Sequence, residues 1–185
     1  MPKETMKVAY TGHRPQKLGG FALNNEIWYG VADFIDRINT RMMDKYEIIG
    51  NTGGALGVDQ QAARDLYMKG MKFNIFAPCH NQEGIWPAAT RKTYSIMVGL
   101  AEEMHYTYKG DYPGAWCMQK RNEQMVDASD VLVAVWDGTR GGTHNCVKYA
   151  MEKGVHVYCY NPKTHEEGWK LAYEQMDALH NGSNN

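Results

Sequence analysis

Three arginines and two aspartates of this chain stand where a small anion is most readily met. Arg14 follows the apolar run in VAYTGHRP, Arg140 lies in DGTRGG just beyond VLVAVW, and Arg121 sits within MQKRNEQM. A guanidinium carries a fixed positive charge and a planar fork of donors suited to phosphate or carboxylate. Asp59 closes the stretch NTGGALGVD at 51–59, and Asp137 opens DGTRGG. Either carboxylate reads as a helix or turn cap, as a partner for a ligand hydroxyl, or as the acid–base group of a reaction. His13, beside Arg14, is a hydrogen-bonding loop residue or a proton carrier.

Glycines accompany these side chains. Gly53, Gly54 and Gly57 precede one expected helix, Gly141 and Gly142 with Thr143 precede another, and Gly12 ends the first apolar run. Such loops let backbone N–H groups converge on an anion, assisted by the helix N-terminus behind them. The loop with Gly53, Gly54 and Gly57 is neither a Walker A nor a GxGxxG sequence. Arg121 is placed differently. It lies three residues after Met118 and four before Met125, so it shares the apolar side of a helix. A cation there needs a partner or a ligand; Asp127 and Asp130 are the nearby acids, and Asn122 is its polar neighbour. Trp86, in QEGIWP, is a candidate to stack on a base or to pack in a core, and the aromatics of 106–116 suit a lid or an oligomer contact.

The elements that must position these groups are legible from apolar periodicity. Short apolar runs at 8–11, 47–50, 73–77, 131–136 and 155–160 read as strands, with a weaker one at 103–108. Helical spacing covers 25–43, 59–69, 88–102, 116–128, 143–153 and 166–179, and Gly70 and Gly154 end two of these helices. Alternation of strand and helix, with strands apolar on both sides, predicts an α/β, Rossmann-like three-layer sandwich on a mainly parallel sheet. One domain is expected over 1–180, with 181–185 a disordered tail. Ligands of such sheets bind beyond the carboxyl ends of the strands, where strand order reverses.

Composition narrows the function. With 20 Lys+Arg against 21 Asp+Glu the net charge is −1, which gives no electrostatic reason for general adhesion to nucleic acid or anionic lipid. No long apolar run suggests a membrane span and no leader pattern opens the chain, so a soluble, cytoplasmic protein is expected. Cys79, Cys117, Cys146 and Cys159 are scattered among apolar residues and read as packed, reduced thiols, with no metal site.

The motifs VAYTGHRP, TGGALGVDQQAA, IWPAATRKTY and RNEQMVDASDVLVAVWDGTRGGTHNCVKYA, in this order, resemble the SLOG superfamily. The likeness is to its short YpsA-like branch of Firmicutes and their phages, and runs over about 8–160. The same segments are similar to the Rossmann-like core of DNA-processing protein A. The resemblance implies a nucleotide-type ligand, ADP-ribose-like for instance, with phosphate at Gly142 and Thr143. It further implies a sensor or sequestering role in phage–host conflict, no cofactor, and homo-oligomerisation. Related LOG-type phosphoribohydrolases pair a helical arginine with a glutamate three residues after a Gly-Thr turn. Arg121 matches the arginine, but the glutamate position is Cys146. Glycosidic cleavage needs a nearby anion or base, so binding without turnover is the leading expectation. Nucleoside monophosphate N-glycosidase activity, with Asp59 or Asp137 as the carboxylate, is the alternative. Single-stranded DNA binding ranks behind both, because backbone contacts need cations that the composition does not concentrate.

Overall fold

The computed structural model describes residues 1–182. Seven strands form one sheet in the order β4-β3-β2-β1-β5-β6-β7. The strands are β1 (Glu4–Gly12), β2 (Tyr46–Thr52), β3 (Lys72–Ala77), β4 (Glu103–Tyr106), β5 (Val131–Val135), β6 (His156–Tyr160) and β7 (Glu167–Gly168). All neighbours run parallel except β6 and β7. The expected sandwich is therefore present. The chain builds outward from β1 to β4, then crosses back to lay β5 on the other side of β1. The order reverses between β1 and β5, so the loops leaving these two strands diverge and open a crevice at their carboxyl ends.

Helices cover both faces. On one face lie α1 (Glu26–Lys45), α2 (Val58–Met68) and α3 (Ala88–Leu100); on the other lie α4 (Trp116–Asp127), α5 (Gly142–Glu152) and α6 (Leu171–Asn181). The central strand β5 shows why its sequence lacks polar alternation. Val131, Val133 and Val135 enter the core under α1–α3, while Leu132 and Ala134 enter the core under α4–α6. Each fully buried side chain of this size contributes about 1.5–3 kcal/mol of transfer free energy. Parallel strands buried on both faces thus fix the register of the loops above them.

Several boundaries differ from the sequence expectation; β1, for one, begins at Glu4 rather than at 8. Residues 167–168 form the antiparallel edge strand β7, and α6 begins only at Leu171, so the expected helix from 166 starts too early. A two-residue strand leaves no periodic signal. Asn181 is the last residue of α6 rather than part of a tail; positions 183–185 of the expected tail lie outside the described residues. A single 3-10 turn at Pro15–Lys17, started by proline, was not expected and carries the loop after β1 over the crevice. Among the described residues, no helix is long and apolar enough to cross a membrane.

Candidate functional site

A cavity of about 370 Å³ opens at the switch point. The loop after β1 supplies Thr11, Gly12, His13, Arg14, Gln16 and Lys17 to its lining, and the loop into α5 supplies Thr139 to His144. Met118, Arg121 and Asn122 of α4 and Ala55 and Asp59 from the turn into α2 complete the wall. Ten of the residues singled out in the sequence thus converge: Gly12, His13, Arg14, Asp59, Arg121, Asn122, Arg140, Gly141, Gly142 and Thr143. Gly53, Gly54, Gly57 and Asp137 stand behind the wall instead.

Arg121 is 4% exposed, on the buried side of α4 with Met125 and Val126, as its spacing predicted. Its Nη1 donates to the Gly53 carbonyl at 2.8 Å and to the Phe76 carbonyl at 3.1 Å, and its Nε donates to Asn122 Oδ1 at 2.9 Å. These bonds tie α4 to the ends of β2 and β3 and aim the guanidinium along the cavity wall. Neither expected acid partners it. Asp127 accepts from the Tyr149 hydroxyl at 2.8 Å, and Asp130 accepts from the Lys7 amide at 2.8 Å. The acid that faces Arg121 is Asp59, with Arg14 on the same side. No carboxylate of the described residues makes an ion pair with Arg121 within 4.0 Å. Burial lowers the Arg121 pKa, Asp59 opposing it, and burial raises that of Asp59, Arg121 opposing. For both groups desolvation outweighs the attraction between them.

Asp59 does not cap α2. Gly57 holds the N-cap position, at φ +97°, with no side-chain cap bond. A Cβ there would stand 2.7 Å from the His13 carbonyl, so glycine is needed for the conformation and for the close passage of the β1 loop. Asp59 lies in the first turn instead and reaches back, its Oδ2 accepting from the Ala55 amide at 3.3 Å. Gly53 is required for a related reason. A Cβ on it would fall on the Arg121 guanidinium and 2.6 Å from Asp59 Oδ2. Gly54 packs beneath Tyr94 and Gln82, which bonds Gly53 O at 3.0 Å and Tyr94 Oη at 2.9 Å.

On the opposite side α5 begins. Its N-cap is Gly141, with no side-chain cap, so Thr143 is inside the helix rather than capping it. The first amides of a helix lack intrahelical acceptors, and here they end at the cavity with the positive pole of α5 behind them. Behind this loop, Asp137 is used structurally. Its Oδ1 accepts from Thr139 N at 3.1 Å and from the Thr139 hydroxyl at 2.5 Å, and Lys163 Nζ lies 2.8 Å from Oδ2. His13 Nε2 is 3.0 Å from the Asp137 amide and 2.9 Å from Oδ1; it accepts the first or donates to the second according to tautomer. Burial lowers the His13 pKa, partly opposed by Asp137. Burial alone would raise the Asp137 carboxyl, but Lys163, Thr139 and His13 hold it below the usual range.

Cys146 of α5 is fully buried behind the lining residues. Burial pushes its thiol up to about 12. All four cysteines are buried and free. Trp86 does not approach the cavity; it packs edge-on against Tyr94, with ring centroids 5.4 Å apart, beside the α1–α3 core. Lys17 and His144 are lining residues that the sequence reading passed over. Lys17 was a second cation three residues past Arg14, which was the available signal. A larger groove of about 530 Å³ lies between α2 and α3, lined by Phe21, Tyr67, Ile96 and Leu100; its charged lining residue is Arg64.

The YpsA family model, described as the YspA SLOG family, matches residues 8–164. The SPbeta prophage-derived protein YoqJ of Bacillus subtilis is 39% identical over 122 residues, covering 58% of this chain and 70% of that one. The UPF0398 protein YpsA of the same organism is 24% identical over 181 residues, 94% of this chain and 95% of that one. Among solved structures, DNA processing protein A of Helicobacter pylori, described for its single-stranded DNA binding mode, superposes with a TM-score of 0.65 at 20% identity, over 97% of this chain and 79% of that one. DNA processing protein A of Streptococcus pneumoniae gives 0.63 at 19% identity over 100% of this chain, which spans 56% of that protein's length. At these identities the likeness is one of fold.

Proposed function

Because the chain belongs to the YspA SLOG family and walls its switch-point cavity with a buried arginine, we propose that it binds a nucleotide or nucleotide-derived, ADP-ribose-like small molecule there without turning it over. The observation that carries this reading is Arg121. It is a cation only 4% exposed, without an ion pair to Asp59, lining a cavity that the N-terminus of α5 also lines. An anionic ligand supplies the missing countercharge to both. Its phosphate sits at Gly142 and Thr143, with Gly12, Arg14, Asn122 and Arg140 around it.

Absence of turnover is supported by Cys146. A neutral thiol, raised to about 12, provides neither the anion nor the base that cleavage of an N-glycosidic bond requires. Of the two alternative carboxylates, Asp137 is held by Thr139 and Lys163 behind the wall, and burial disfavours the ionised form of Asp59. The likeness to a prophage protein supports a sensing or sequestering role in phage–host conflict, in the cytoplasm. Exposed Phe21, Tyr67, Ile96 and Leu100 supply apolar surface for a homo-oligomer.

Native mass spectrometry of the purified protein with a nucleotide library tests the reading. A bound small molecule, released intact by heat, is the expected result. Free base with ribose phosphate would replace it by the glycosidase alternative. Retention of oligodeoxynucleotide alone, lost with added salt, would replace it by single-stranded DNA binding.

A further inference from the structure

The groove between α2 and α3 is larger than the switch-point cavity, at about 530 Å³, and the two share no lining residue. Core side chains reach it: Phe73, Met97 and Trp28 line it and are 2%, 8% and 9% exposed. Phe21, Tyr67, Ile96 and Leu100 line it too, four large apolar side chains exposed around one opening. A concavity of this size, with aromatic and aliphatic walls and few polar groups, has the makeup of a small-molecule site. Leu23, in the same lining, holds a left-handed backbone at φ +49°, a strained state for an ordinary side chain and one that gathers at ligand clamps.

The polar lining narrows the occupant. Gln60 Nε2 donates to the Gly54 carbonyl at 3.1 Å, and the Thr90 and Thr93 hydroxyls donate to the Pro87 and Ala89 carbonyls at 2.7 and 3.2 Å. These donors are already spent on the backbone. Arg64 is the charged lining residue, no carboxylate lines the groove, and Arg64 makes no ion pair among the described residues. A ligand carboxylate beside it gains a forked, charge-assisted contact, whereas a ligand cation is repelled.

We propose that this groove is a second ligand site, taking an apolar organic acid whose carboxylate pairs with Arg64 while its hydrocarbon lies against Phe73, Met97 and Trp28. The site is independent of the nucleotide reading, because the two linings are separate. A second copy resting on the exposed side chains roofs the groove rather than fills it.

Titration calorimetry with decanoate below its micelle concentration tests this, with decyltrimethylammonium as the probe of equal chain and opposite charge. The wild type binds decanoate at one site, about tenfold more tightly than the cation, and Arg64→Gln removes that preference, the worth of one charge-assisted hydrogen bond. Ile96→Asp, at a position 56% exposed, sets a like charge at the opening and abolishes decanoate binding. No decanoate binding, equal binding of the two probes by the wild type, or a preference that survives Arg64→Gln overturns the proposal. So does a wild-type dimer that binds no decanoate and that Ile96→Asp splits, which gives the groove to a second copy. Adenosine monophosphate is titrated separately: its failure to bind overturns the nucleotide reading and leaves this site standing. The comparison of the two probes on the wild type needs no variant to fold.

Discussion

Two acid–base pairs stand at the same edge of the sheet, and they have opposite characters. The pair His13 and Asp137 joins the loops after β1 and β5. Its charges are paired within the protein: Thr139 and the Asp137 amide bond it, and Lys163 makes an ion pair with Asp137 Oδ2, a buried oxygen without a hydrogen bond. The pair Arg121 and Asp59 lies in the cavity wall, both groups beside Gly53. Its members are buried to a similar degree, yet they make no ion pair and burial dominates both of their pKa shifts. Charges in ion pairs with one another act as scaffold. A buried cation that makes no ion pair and stands at a cavity wall is the side that suits an anionic ligand, because a buried charge without a full countercharge is costly to keep in a folded chain.

If that contrast is right, substitutions on the two sides fail differently. Asp137→Ala strands His13, Thr139 and Lys163, and should cost about 3 kcal/mol of stability, read by urea unfolding. Arg121→Ala should cost less stability, because water enters from the cavity to the Gly53 and Phe76 carbonyls. It should weaken binding of adenosine monophosphate by about a hundredfold, as loss of a buried charged contact does, read by calorimetry. Equal stability losses in the two variants would erase the distinction. Gly53→Ala joins both effects, since its methyl displaces Arg121 and Asp59; it should lose about 1–3 kcal/mol by overpacking and lose binding as well.

Acid separates the pairs with smaller effects. The folded pKa of His13 lies below its ordinary 6.5, so the unfolded chain takes up a proton that the native chain refuses. Its contribution is complete above 6.5 and is lost as pH falls through that value toward the folded one. Asp137 acts in the same sense below its ordinary 3.8. Asp59 has the opposite sign: its raised pKa makes the ionised form unfavourable at neutral pH, and acidification toward 3.8 relieves this. His13→Asn should therefore reduce the drop in Tm between pH 7 and 5 by about 2–4 °C, measured by scanning calorimetry. The smallest effect is chemical. Native protein should be nearly inert to thiol reagents and all four cysteines should react on unfolding, since none is exposed.

Much of this was legible in the sequence, for local reasons. Val131–Val135 announces a strand buried on both faces, and the 3–4 spacing of Met118, Arg121 and Met125 announces a buried arginine. The difference between the two aspartates was not legible. Asp59 and Asp137 each follow a strand and neighbour glycines, and what separates them is Lys163, brought to Asp137 by β6, and Arg121, brought near Asp59 by α4. Such partners lie 26 and 62 positions away in sequence, where no local pattern registers them. Helix starts were misplaced for a similar reason: Gly57 and Gly141 hold the N-caps through backbone geometry, so Asp59 and Thr143, the residues that resemble caps, fall inside.

The claim that the Arg121 side is the binding side is tested most directly by native mass spectrometry of three proteins side by side. Wild type, Arg121→Ala and His13→Asn are each presented with adenosine monophosphate and ADP-ribose. A bound, intact nucleotide on the wild type and on His13→Asn, absent from Arg121→Ala, is the predicted result. Equal occupancy of all three, or loss from His13→Asn alone, would contradict it.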